Sequence, residues 1–208
     1  MMESKTSIPP QPIPEQKEGG QTDTDYSKTT NGLTEAHELF LACRERLLNI
    51  NDWGKIAGAL SAEFKLTDAA GNLVSEKPKV GYYIKIDIPG PGTKAGQGYD
   101  WVRIESIEED IKADAPGESI LIRVRPAENP KNAQQDVAHF FNSQASSSFT
   151  VHREGNTVTA GVHGRNEVPN TQTESLLDKT RNSAVAVAAI IGFNAPQWKS
   201  LVKGLLGD

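Results

Sequence analysis

Apolar and charged or polar residues alternate with a period of two in six stretches of the chain. Ala62, Phe64 and Leu66 interleave with Glu63, Lys65 and Thr67; Val80, Tyr82, Ile84, Ile86 and Ile88 interleave with Gly81, Tyr83, Lys85 and Asp87. Val102 and Ile104 alternate with Trp101, Arg103 and Glu105, and Ile120, Ile122 and Val124 with Leu121, Arg123 and Arg125. Successive side chains on a strand point to opposite faces, so each stretch predicts one oily face and one wet face. Parallel sheets covered on both sides read as unbroken apolar runs, so the pattern predicts an antiparallel sheet wet on one side. The last two stretches meet at Gly155-Asn156, a two-residue turn with glycine where a positive φ is needed. The hairpin it sets pairs Phe149 with Val162, Val151 with Ala160, and His152 with Thr159 on the opposite face.

Helical spacing flanks the strands. Ala36, Leu39, Phe40, Cys43, Leu47 and Ile50 recur at intervals of three, four and seven behind Thr34 and Glu35, which predicts an amphipathic helix with Thr34 as its N-cap. Asn51 and Asp52 end it and introduce a short turn bearing Trp53 and Ile56. Asn132 to Phe141 reads as a short helix that brings Val137, Phe140 and Phe141 to the core. Thr173 and Glu174 open a helical segment running through Leu176, Leu177 and Ala184 to Ile191, and Gly192 stops it. Asn194, Pro196 and Gln197 then suit the start of a final helix with Trp198, Leu201, Val202 and Leu205 as its stripe. An uncovered apolar sheet face would aggregate, so helices from both ends of the chain are expected to cover it.

The fold class is α+β, with a curved antiparallel sheet of about six strands covered on one face by amino- and carboxyl-terminal helices; a small β-barrel with helical additions has the same local pattern. The element order resembles the helix-grip arrangement of START-like proteins. That resemblance implies a curved sheet wrapped around a final helix, with an apolar cavity between them. The chain departs from it in showing no obvious strand before the first helix and in breaking the last helix at Gly192 and Asn194. Residues 1–32 carry Pro9, Pro10, Pro12 and Pro14 and then Gly, Gln, Thr, Asp and Ser with almost nothing apolar. They are expected to be a disordered tail, because so little burial cannot offset the entropy of ordering. Residues 33–208 form the single domain.

Charge and composition narrow the function classes. The 208 residues include 22 Lys and Arg against 27 Asp and Glu, a net charge of −5, so no positive field draws nucleic acid or an anionic membrane. No nucleic-acid partner is expected. The longest apolar run, Ala184 to Ile191, is well short of the roughly 20 residues that span a bilayer, and Met1, Met2, Glu3 and Ser4 do not open the basic-then-apolar pattern of a signal peptide, so a cytoplasmic protein without membrane partner is the expectation. Cys43 is the only cysteine; it falls on the buried stripe and is expected to be inert.

Candidate chemistry is sparse. His152 and His163 share the polar face of the last hairpin with Thr150, Thr159, Arg165 and Glu167. A histidine there can act as general base and Arg165 can hold an anion, but the same parity places the group opposite the core, facing solvent. A metal site would need Glu167 as third ligand at a spacing no known motif uses, and none is expected. Asp136 and His139 read as a surface pair. The glycine-rich stretch from Pro89 to Gly98 lacks the order of a phosphate loop and is followed by a strand; its length fits a flap. No cofactor is implied.

Two readings of function follow. The leading one is a non-enzymatic binding or scaffolding module that engages a protein partner through an open charged sheet face, with a homo-oligomer among the partners it allows. Trp101 beside Arg103 would be the anchor, an exposed tryptophan flanked by charges, with His152, His163, Arg165 and Glu167 as further contacts. The alternative is a START-like cavity protein that binds, or acts on, a small apolar molecule.

Overall fold

A computed structural model describes residues 13–58, 62–88, 95–132, 136–170 and 196–208. The chain runs β1 (Gly20–Thr29), α1 (Leu33–Leu48), a 3-10 turn (Ile50–Asp52), α2 (Trp53–Ala57), β2 (Glu63–Thr67), β3 (Tyr83–Asp87), β4 (Asp100–Asp110), β5 (Gly117–Pro126), β6 (Ser146–Glu154) and β7 (Thr157–Glu167). A helix over 196–205, here α3, closes the described chain. The strands form one antiparallel sheet in the order β1-β7-β6-β5-β4-β3-β2. Its inner face packs on α1, α2 and α3, an α+β helix-grip arrangement.

Two-residue periodicity sorts the side chains as the alternation requires. Ile84, Ile120 and Ile122 are buried in the core with Phe64, Leu66, Ile104 and Phe149. On the other face Arg103 is exposed, and Arg123 lies 3.7 Å from Glu105 and 3.9 Å from Glu108. The β6–β7 hairpin has the expected register, Phe149↔Val162, Val151↔Ala160 and His152↔Thr159. Gly155 sits at φ +58°, where any Cβ would be strained.

The helices seal the inner face. Ala36, Phe40, Cys43 and Leu47 form the buried stripe of α1; its N-cap is Gly32 rather than Thr34, with no side-chain cap bond. Glu35 instead reaches back to accept the Asn31 N–H at 3.0 Å. Asn51 ties the turn to the sheet, accepting from the Leu66 N–H at 2.8 Å and donating to the Val74 carbonyl at 2.9 Å. Burial pushes the Cys43 thiol up to about 11.

Two expectations are corrected. Residues 20–29 of the expected tail are strand β1, paired with β7 from Gly20↔Glu167 to Thr29↔Thr157. The backbone ladder, not apolar burial, orders it: no β1 side chain is fully buried, while Asp23 meets His163 and Arg165 at 2.8 Å each. Lys28 pairs with Asp208 at 2.5 Å and Lys203 lies 5.1 Å from the centre of the Tyr26 ring. This strand supplies the element before α1 that the helix-grip order requires. Second, the described part of 132–141 is not helical: Val137 bridges Glu128 and Phe141 bridges Pro169. Buried Asn170 outcompetes helix formation there, donating to the Val137 and His139 carbonyls at 3.0 and 3.1 Å. With β1 the sheet has seven strands, in keeping with the about six expected from the alternation. The helical segment expected from Thr173 to Ile191 and most of the glycine-rich stretch, 89–94, lie outside the described residues; 95–98 is a turn.

Candidate functional site

Where the sheet's inner face meets α2 and α3, four aromatic rings close a ring of contacts. Trp53 on α2 lies edge-on to Phe64 of β2 at 5.6 Å between centroids and 4.5 Å from Phe149 of β6. Trp198 on α3 completes the circuit, 6.1 Å from Phe64 and 5.7 Å from Phe149. The indole N–H of Trp53 donates to the Leu47 carbonyl at 3.0 Å, which fixes the ring against the end of α1. Beside the quartet is a cavity of about 60 Å³, walled on by Ile84, Val102 and Val124 from the strands and by His139, Phe140 and Phe141. Ser147 and Gln197 are its other polar lining residues. None of the described residues that line it carries an acidic, lysine or arginine side chain.

The 139–141 wall is held by polar bonds the sequence does not announce. Phe140 N–H donates to Asp100 Oδ1 at 3.2 Å, and Phe141 N–H donates to His139 Nδ1 at 3.0 Å. An imidazole nitrogen that accepts an amide proton carries none of its own, so the His139 proton sits on Nε2. Its ring stacks on Phe140 at 4.2 Å and is 6% exposed. His139 is therefore part of an aromatic wall, not half of a surface pair with Asp136.

The sequence-predicted site residues fall into separate places. Trp101 is 3% exposed. Its parity is outward as expected, but that patch of the outer face is covered: Trp101 packs with Tyr83, Ala127 and Ala138, and its indole N–H donates to the Gly96 carbonyl at 3.3 Å. The cause is the chain after β5, which folds back so that Ala138 accepts the Trp101 N–H at 2.8 Å and Trp101 accepts the Ala127 N–H at 3.0 Å. Arg103 stays exposed, beside Val80 in an open groove of about 400 Å³. The anchor expected for a protein partner is thus absent from the surface.

His163 and Arg165 do gather, on the outer face around β1, while Glu167, past Asn166 at φ +54°, turns its carboxyl to the face of Thr22 and Gly164. His163 Nδ1 donates to Asp23 Oδ1 at 2.8 Å, and its Nε2 is 3.5 Å from Asp25 and 3.4 Å from the Thr150 hydroxyl. Burial works against ionising Asp23, yet hydrogen bonds from Gln21, Arg165 and His163 outweigh it and hold the carboxyl at about 2. Burial pushes the Glu167 carboxyl up, opposed by the Thr22 hydroxyl, which donates to it at 3.0 Å. His152 shares the face, and burial pushes its imidazole down; among the described residues no bond joins it to the others. Asp23 and Asp25 were missed because they lie in the segment read as tail. Among the described residues no group of three metal-ligating side chains converges.

A second cluster was missed. Glu118 and Arg153 face inward as a register pair between β5 and β6, with side chains 0% and 1% exposed. Glu118 Oε2 accepts from Arg153 Nε and from His37 Nδ1 on α1, each at 2.7 Å. The signal was present, since 118 and 153 extend the inward rows of Ile120 and Val151.

No sequence family and no curated protein matches the chain. Solved structures similar to it include a hypothetical protein of Helicobacter pylori, 11% identical over 88% of this chain and 86% of that one, with a TM-score of 0.45. Others are the ZhuI aromatase/cyclase of a Streptomyces species, 8% identical over 90% and 93% with a TM-score of 0.39, and norcoclaurine synthase of Thalictrum flavum, 6% identical over 95% and 97% with a TM-score of 0.37. No helix among the described residues is long and apolar enough to cross a membrane.

Proposed function

We propose that the protein binds a small apolar molecule between the inner face of its sheet and α3. The observation that carries this reading is the aromatic-walled cavity bounded by Trp53, Phe64, Phe149 and Trp198. Apolar walls with a few converging polar groups are the common build of small-molecule sites. At about 60 Å³ the space is smaller than the roughly 150 Å³ that takes up benzene. A ring-sized guest therefore enters by displacing a wall, and Trp198 on α3 is half-buried where the other three rings of the quartet are buried. The rival reading, a protein partner on the outer face, has lost its anchor with the burial of Trp101.

The test is a titration with ethylbenzene, followed through the indole N–H resonances of Trp53 and Trp198. Saturable shifts at both rings are expected. Ser147→Phe, which places a ring at the cavity's lip from a half-buried position, is expected to abolish them while the melting temperature stays near that of the wild type. Absence of saturable shifts in the wild type, or their survival in folded Ser147→Phe, would overturn the reading.

A further inference from the structure

Gln197 is the first buried side chain of α3 and lies in the cavity wall, 6% exposed. Its Oε1 accepts the Ala62 N–H at 3.1 Å. A backbone N–H has only a proton to offer, so the oxygen of the amide must face Ala62 and the amino group must face away from it. That amino group, Nε2, has no hydrogen-bond partner among the described residues. Ser147, across the same cavity, likewise has a hydroxyl without a partner there. Two donors are thus held at an apolar space, one of them in a fixed orientation.

We propose that Gln197 makes the pocket selective for apolar molecules carrying an uncharged acceptor oxygen, of the ketone, aldehyde or ester class. This rests on the pocket reading above and adds to it the chemistry of the guest. A guest that fills the cavity strips water from Nε2, and a ligand oxygen replaces that hydrogen bond while a hydrocarbon leaves the donor unpaired. A carboxylate would also satisfy Nε2, but no cation among the described lining residues would offset its charge, so burial disfavours it. A ligand ammonium would set donor against donor at Gln197 and bring a charge that no carboxylate among the described lining residues offsets. Selection therefore runs toward neutral acceptors, with the aromatic quartet holding the hydrocarbon part and Gln197 reading the oxygen.

The experiment compares three probes of similar shape: acetophenone, ethylbenzene and benzoate. Dissociation constants come from the Trp53 and Trp198 indole shifts, and the ratio between probes is taken within each protein, where a change in folded fraction cancels. The wild type is expected to prefer acetophenone over ethylbenzene by at least about threefold, the scale of one net hydrogen bond, and to bind benzoate weakest. In Gln197→Met, which keeps the length without the donor, the preference is expected to disappear. Gln197→Glu at pH 8 keeps an acceptor for the Ala62 N–H and serves if the methionine variant does not fold; it too is expected to lose the preference. Equal binding of acetophenone and ethylbenzene by the wild type, a preference that survives both substitutions, or tighter binding of benzoate would overturn the inference and leave the pocket standing. Failure of all three probes to bind would overturn the pocket reading beneath it.

Discussion

The Glu118 carboxylate is enclosed with Arg153 and His37, and removing Arg153 leaves a buried charge shut off from water with only the His37 hydrogen bond to offset it. Arg153→Met is expected to cost about 3–5 kcal/mol in denaturant unfolding, and adding Glu118→Leu to recover most of it, since apolar side chains of similar volume often replace a buried pair without loss. Arg153 also donates to the Ala115 and Gly155 carbonyls at 2.9 and 3.0 Å, so recovery is expected to fall short of complete. At Asp23 the sign of the pH effect is fixed by a depressed carboxyl. Its folded value of about 2 lies below the ordinary 3.8, so its contribution is present above pH 3.8 and is lost as pH falls toward 2. Melting temperature measured from pH 5 to pH 2 is expected to fall less steeply in Asp23→Asn than in the wild type.

Strands differ in what holds them, and β1 is the clearest case. Its inner row of Thr22, Thr24, Tyr26 and Lys28 is half-buried while Asp23, Asp25 and Ser27 are exposed. The alternation was written in the sequence, but with threonines in place of isoleucines it did not stand out from a polar tail. The element exists because β7 offers a full edge of backbone donors and acceptors, which no local pattern in residues 20–29 reveals. Amides of β1 are accordingly expected to exchange with solvent faster than those of β5 and β6, where Ile120, Ile122 and Val151 are 0% exposed; native-state hydrogen exchange reads this directly. The segment 136–141 failed in the other direction. Its helical spacing of Val137, Phe140 and Phe141 is real, but Asn170 and Asp100 hold its backbone extended from a distance of 30 residues or more in sequence.

In the whole molecule the aromatic quartet joins α2, β2, β6 and α3, so stability and pocket depend on the same contacts. Phe149→Ala, at a site 3% exposed, is expected to lower unfolding free energy by about 3–5 kcal/mol and to enlarge the cavity, so that bulkier apolar probes bind more tightly than in the wild type. What the sequence determined by itself is the sorting of faces: side chains alternate because the pleat has period two, a purely local geometry, and Ile84, Ile120, Arg103 and the Gly155-Asn156 hairpin followed from it. Only the tertiary structure decided what covers each face, because covering is made by segments remote in the chain. Trp101 points outward as its parity says, yet is buried by Ala127 and Ala138; Gln197 is one polar residue at the head of a helix until Ala62 takes its oxygen and leaves its amino group without a partner among the described residues. Direction is set residue by residue, whereas enclosure needs a second piece of chain, and it is enclosure that makes the site.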